Sequence, residues 1–180
     1  MEYVVLGLLM LGEATLYELR KAFERGISLF YSASFGSIQF ALKKLLHDGS
    51  ISMRESVEGG RNKKIYAITP KGQAAFLGWI RSADIPESKL DTIALTKLYF
   101  LGVLPTRADR TAVLAAITER VKQSEEALRE FNNALTSQID LKAVDPVMYY
   151  QLMSLDYGVT MMRHSRTWYE EELRKLTTAK

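Results

Sequence analysis

Arg61, Lys63 and Lys64 place three cations within four residues, just after the glycine pair Gly59-Gly60. Cations crowded where a chain turns repel one another unless an anion lies close, and phosphate is the anion that such clusters serve. Lys43 and Lys44 form a second basic pair. Bond-making chemistry has no comparable carrier. The chain has no Cys, which removes disulfides, a thiolate nucleophile and Cys-type zinc sites. Its two His residues, His47 and His164, lie too far apart for a helical metal pair, and no GxSxG, P-loop or GxGxxG pattern occurs. No enzyme activity, cofactor or metal is expected.

The net charge of +3 over 180 residues hides an asymmetry. Residues 1–82 hold 11 Lys and Arg against 7 Asp and Glu, a net of +4, whereas residues 83–180 hold 13 against 14, a net of −1. A basic half joined to a neutral half is the pattern of a nucleic-acid reader with an attached module. The longest apolar run, Val4 to Leu11, is far below the roughly 20 residues of a membrane span, so no membrane partner is expected. The Met-Glu start lacks a basic leader, so no signal peptide is expected, and with no Cys a cytoplasmic location fits.

The elements that position these cations follow from periodicity. Val4, Val5, Leu8, Leu9 and Leu11 predict a mostly buried helix over 2–11, ended by Gly12. Thr15 with Glu18 makes a capping box that opens a helix over about 15–25, and Gly26 stops it. Residues 32–37 read as a polar loop leading into a third helix, with Ile38, Ala41, Leu42, Leu45 and Leu46 on its apolar stripe and Lys43-Lys44 off it. Strands over 51–57 and 63–69 flank a turn at 58–62. Thr69-Pro70 then caps a further helix, anchored by Trp79. Three helices followed by a basic-tipped hairpin is the order of a winged helix-turn-helix, whose third helix enters a major groove. Thr15 and Tyr17 read equally well as phosphate contacts or as a cap and a core aromatic.

The second half reads as all helix. Ser88 with Asp91 and Thr106 with Asp109 suggest capping boxes, the first opening a helix over 89–101. Leu114, Ile117, Val121, Ser124, Leu128, Phe131, Leu135 and Gln138 keep 3-4 spacing. After the Asp145-Pro146 cap, so do Met148, Leu152, Leu155, Val159, Met162, Arg166, Tyr169, Leu173 and Leu176. Heptads of this kind suggest supercoiled pairing, and helices of about 30 residues, roughly 45–50 Å long, suggest a partner chain in a two-fold dimer. Arg166 beside Trp168 and Tyr169 has two readings. One is a small-molecule effector pocket, with Arg for a carboxylate; the other is an interhelical ion pair with core aromatics.

The segments Val5-Leu6-Gly7-Leu8-Leu9, Thr15 to Leu19, Ser34-Phe35-Gly36-Ser37-Ile38, Ala41 to Leu45, and Gly59-Gly60-Arg61-x-Lys63-Lys64-x-Tyr66-x-Ile68-Thr69-x-x-Gly72 closely resemble the PadR family of bacterial transcriptional regulators. The match runs over about residues 4–80. The second half looks like that of the longer subfamily related to the virulence activator AphA. The resemblance implies a mainly α fold, with a winged helix-turn-helix of three helices plus a two-stranded wing over 1–83 and a long-helix dimerisation domain over 84–180. It implies a homodimer, joined through its C-terminal helices, on a near-palindromic double-stranded DNA operator. Such a protein is usually a repressor and in some relatives is released by phenolic or lipophilic effectors. By position, Ser34, Ser37 and Lys43 fall on the recognition-helix motif, and Arg61 and Lys64 on the wing motif. One departure stands out: Gln39-Phe40 replaces the Tyr-Pro common at those positions, and a Gln amide can pair with adenine. The competing readings are a helical interaction module whose winged helix binds protein, and a ligand-independent activator.

Overall fold

The structure, a computed structural model, describes residues 1–58, 61–137, 139 and 144–178, with Glu58 and Arg61 described by backbone alone. Helix α1, Glu2–Met10, is apolar on every side, and it buries every residue from Val4 to Leu9. Around it pack α2 (Leu16–Arg25), α3 (Phe35–His47), α4 (Pro70–Arg81) and a small antiparallel sheet. The sheet order is β1-β3-β2, with β1 at Ala14–Thr15, β2 at Ile51–Glu58 and β3 at Arg61–Ile68. The β1 strand has no periodicity signal because it is two residues long, pairing Ala14 with Tyr66 and Thr15 with Ile65.

Several boundaries differ from the sequence expectation. Helix α3 starts at Phe35, inside the segment read as loop, because Ser34 and Ser37 cap it reciprocally. Serine at both ends of the box hides the usual Glu or Gln signature. The hairpin ladder continues to Val57–Asn62 and Glu58–Arg61, so residues 58, 61 and 62 of the expected turn belong to the strands; Gly59 and Gly60 lie outside the described residues. Ser88 caps nothing: a 3-10 turn at Glu87–Lys89 leads into α5 (Leu90–Tyr99), whose N-cap is Lys89 with no side-chain bond. The other caps form as expected. The Thr15 hydroxyl accepts the Glu18 N–H, and Thr69 that of Gly72. Thr106 caps α6 (Arg107–Thr136), and the Asp145 carboxylate accepts the Val147 and Met148 N–H groups at the head of α7 (Pro146–Thr178). A Cβ on Gly72 would lie 2.0 Å from the Ser50 carbonyl oxygen, so only glycine lets α4 start this close to the sheet.

The two long helices meet along their heptads within one chain, although Phe131 of the expected seam stays exposed. They run antiparallel, with the Arg107 guanidinium donating to the Leu176 carbonyl at 2.9 Å (Nε) and Gly158 packed on Leu128. Val121 and Ser124 of α6, and Val159 and Tyr169 of α7, are buried along this seam. The expectation that a partner chain covers it is therefore revised: the facing helix of the same chain covers much of it. Gln138 of the expected seam lies outside the described residues. The main core runs unbroken from α1 through Phe76, Phe100 and Leu104 to Leu114 and Tyr169. A Cβ on Gly7 would come within 2.7 Å of the Phe100 ring, so α1 and the end of α5 meet at van der Waals limit.

Lys97 sits on the apolar stripe of α5 and is fully buried. Its ammonium donates to the Ser82 carbonyl at the end of α4 and lies 5.4 Å from the centroid of the Trp79 ring, which stacks on Tyr3 at 4.7 Å. Burial lowers its pKa to about 8, with Asp84 opposing the shift. The folded chain thus binds this proton more weakly than the unfolded chain. The fold is penalised for that charge below about pH 8, and the penalty fades as pH climbs toward the ordinary 10.5. Relative to Lys97→Met, the wild-type chain is expected to gain roughly 2–3 kcal/mol of stability over that interval. Urea denaturation of both proteins across alkaline pH measures it, and parallel curves would contradict the assignment.

Candidate nucleic-acid interface

Helix α3 is built to present one face. Ile38, Ala41, Leu42 and Leu45 are buried against the core, which turns Gly36, Gln39, Phe40, Lys43, Lys44 and His47 outward. Its first turn is fixed by two reciprocal bonds: the Ser37 N–H reaches the Ser34 Oγ at 3.2 Å, and the Ser34 N–H reaches the Ser37 Oγ at 3.3 Å. Both hydroxyls serve the helix end as caps. Gln39 and Lys43, one turn apart, border a shallow groove with Leu16 and Tyr66. Lys44 leans the other way and pairs with Glu2 at 2.7 Å, which raises its pKa. Exposed Phe40 lies between them and carried no signal in the apolar periodicity, because it is off the stripe.

The wing cations follow one another along β3, with Arg61 opposite Glu58, Lys63 opposite Ser56 and Lys64 opposite Glu55. Successive residues of a strand face opposite sides, yet the groove between α2 and β3 is lined by both Lys63 and Lys64. The Arg61 side chain lies outside the described residues. Between α2 and β3 runs an open groove of about 920 Å³, lined by Tyr17, Phe35, Tyr66 and a set of cations. Lys21 stands 4.6 Å from the Tyr17 ring centroid, and Arg20 stands 5.5 Å from that of Phe35. Thr15 and Tyr17 line the same groove, Thr15 as the α2 cap and Tyr17 largely exposed. Thr15 hydrogen bonds lower the Glu18 pKa. Sequence reasoning passed over Lys21 and Arg25. Their signal was present as an i, i+4 cation pair away from buried Leu19 and Phe23.

Arg166 is engaged by carboxylates, while the Trp168 and Tyr169 rings meet each other. Arg166 faces Glu125 at 3.0 Å, Glu126 at 3.8 Å and Glu170 at 2.9 Å. Glu125 is 1% exposed and is also 3.5 Å from Arg129. Tyr169 is buried, and burial together with Asp91 pushes its hydroxyl pKa up to about 12. Trp168 is partly exposed, and its ring meets that of Tyr169 edge-on at 5.1 Å between centroids. Among the described residues no group of three or more His, Cys, Asp or Glu is placed to hold a metal. No helix there is long and apolar enough to cross a membrane.

Three helices, the third with a capped and outward-facing start, followed by a two-stranded wing, make this a winged helix-turn-helix. Residues 5–77 match the transcriptional regulator PadR-like family. Over 106 residues the chain is 36% identical to the negative transcriptional regulator PadR of Bacillus subtilis, covering 58% of each chain. It thus matches little more than half the length of that relative. Over 166 residues, 86% of each chain, it is 28% identical to a probable transcriptional regulator of Mycobacterium tuberculosis. A crystal structure of Bacillus subtilis PadR in complex with operator DNA aligns over 97% of this chain and 96% of that one, with 27% identity and a TM-score of 0.45.

The serine box generates a stability prediction. Ser34→Ala and Ser37→Ala are each expected to cost about 1 kcal/mol. The double variant should cost less than the sum, because each residue loses the same partner. Chemical denaturation of the three variants measures this; strict additivity would contradict the reciprocal box.

Proposed function

We propose that this chain is a homodimeric transcriptional repressor of the cytoplasm that binds a near-palindromic DNA operator. In this reading residues 1–83 read DNA and residues 84–180 dimerise. The observation that carries it is the outward face of α3, with Gln39 and Lys43 beside the cation-lined groove that Tyr17, Lys63 and Lys64 share. Amides and cations on a rigid helix beside a basic wing suit a duplex, where phosphate contacts position and base contacts specify. Thr15, Ser34, Ser37, Lys44 and Arg61 complete the contact set. Repression is favoured by the name of the Bacillus subtilis relative, a negative regulator.

Dimerisation is supported by a second stripe on α7. Tyr150, Met153, Tyr157, Met161 and Trp168 are exposed and lie at helical spacing on the side away from α6. A partner's copy of this stripe buries apolar surface that water now covers. Two recognition helices held about 34 Å apart can enter successive major grooves. A small aromatic or lipophilic effector that prefers another angle between the halves weakens DNA binding by its differential affinity.

Fluorescence anisotropy with the chain's own upstream DNA across a salt series tests the reading. Lys43→Ala and Lys64→Ala are each expected to weaken binding and to reduce the salt slope by about 1. A salt-independent affinity, or none above the non-specific level, would overturn it. Tyr157→Glu is expected to convert a dimer to monomer in sedimentation; an unchanged mass would move the interface elsewhere.

A further inference from the structure

We infer that Phe40 and Gln39 form a reader of adjacent A·T base pairs, in which the Phe40 ring packs on a thymine methyl while the Gln39 amide pairs with adenine. The inference rests on the DNA-binding reading above and says what that site prefers. Phe40 is 70% exposed, and on the helical wheel it lies opposite the buried stripe of Ile38, Ala41, Leu42 and Leu45. Among the described residues Phe40 belongs neither to the core nor to an aromatic pair. One turn earlier on the same face stands Gly36. A Cβ there would touch only the Ser34 Oγ, at 3.7 Å, an ordinary contact. Among the described residues no neighbour demands that glycine, although glycine is a poorer helix residue than alanine. Its missing side chain leaves a gap beside Phe40 that admits a close-lying partner.

The chemistry of the face selects that partner. Lys43 follows Phe40 one turn on, Lys44 flanks it, and Gln39 supplies a donor and an acceptor on one amide. An aromatic ring surrounded by cations and an amide suits a base edge bordered by phosphates better than an apolar protein surface. In the major groove adenine offers an acceptor and a donor side by side, which match the Gln amide, and thymine alone offers a methyl group. Neighbouring side chains on one helix reach neighbouring base pairs, so the two residues read an A·T step and discriminate against G·C.

Selection from a pool of random-sequence duplexes supplies the probe, and replacing thymine by deoxyuridine then removes the methyl alone. The selected half-sites are expected to share adjacent A·T pairs. Deoxyuridine at that step should weaken the wild-type protein about fourfold per half-site, the worth of one buried methyl group. Phe40→Ala should bind both duplexes alike, and Gln39→Ala should lose the preference for adenine. Phe40 is exposed, so Phe40→Ala is expected to keep the wild-type melting curve. Sequence-specific binding by wild type that ignores the methyl, or discrimination that survives Phe40→Ala, overturns the inference and leaves the regulator reading standing. Selection that enriches no sequence overturns both.

Discussion

Helix α1 buries Val4 through Leu9 without a break, and so every element around it is positioned by contact with a helix that has no free side. Helices α3 and α4 pack on it directly, and Phe100 of the second half closes on Gly7. A shift of α3 relative to α4 would open a void against α1, and voids in a packed interior are costly. The outward face of α3 and the start of the second half are therefore fixed relative to each other through one shared layer. The proposed dimeric DNA reader needs this rigidity, because the spacing of its recognition helices would be set by elements far from them.

Two buried charges lie where the halves and the long helices meet. Lys97 ties α5 to the last carbonyl-bearing turn of α4 and to Trp79. Glu125 ties α6 to α7 through Arg166. Among the described residues no buried side-chain nitrogen or oxygen lacks a partner, so both charges are satisfied. Such groups add little net stability compared with apolar residues of the same shape, but breaking one partner leaves an uncompensated charge. They penalise alternative packings more than they reward this one. Lys97 and Arg166 therefore act chiefly to specify the angle at which helices meet.

Long-period features were legible in the sequence and short reciprocal ones were not. The helices at 2–10 and 16–25, the Thr15, Thr69, Thr106 and Asp145 caps, and both long helices follow from spacing and cap chemistry. The start of α3 did not, because a Ser-Ser box lacks the acidic marker. The β1 strand is too short for any period, and the ladder near Glu58 and Arg61 extends through residues that composition marks as turn. The 3-4 seam of the long helices was visible, but not its occupant. Periodicity reports that a stripe is covered and says nothing of which chain covers it. Arg166 showed the same limit, since its partner Glu125 lies 41 residues away on another helix.

The arrangement of charge on α3 separates two tasks that a count of cations merges. Lys44 is drawn to one flank by Glu2, and Gln39 stands on the other. Lys43 shares the outward face between them with Gly36, Phe40 and His47. Under the proposed DNA-binding reading, a cation there adds affinity for any sequence through phosphate. The amide and the ring then meet base edges, where hydrogen-bond pattern and methyl contact decide the sequence. The same composition with neither amide nor ring on this face would give a protein that binds DNA without choosing among sequences. The net charge of +3 is therefore compatible with either outcome, and the order of residues along one exposed helix face decides between them.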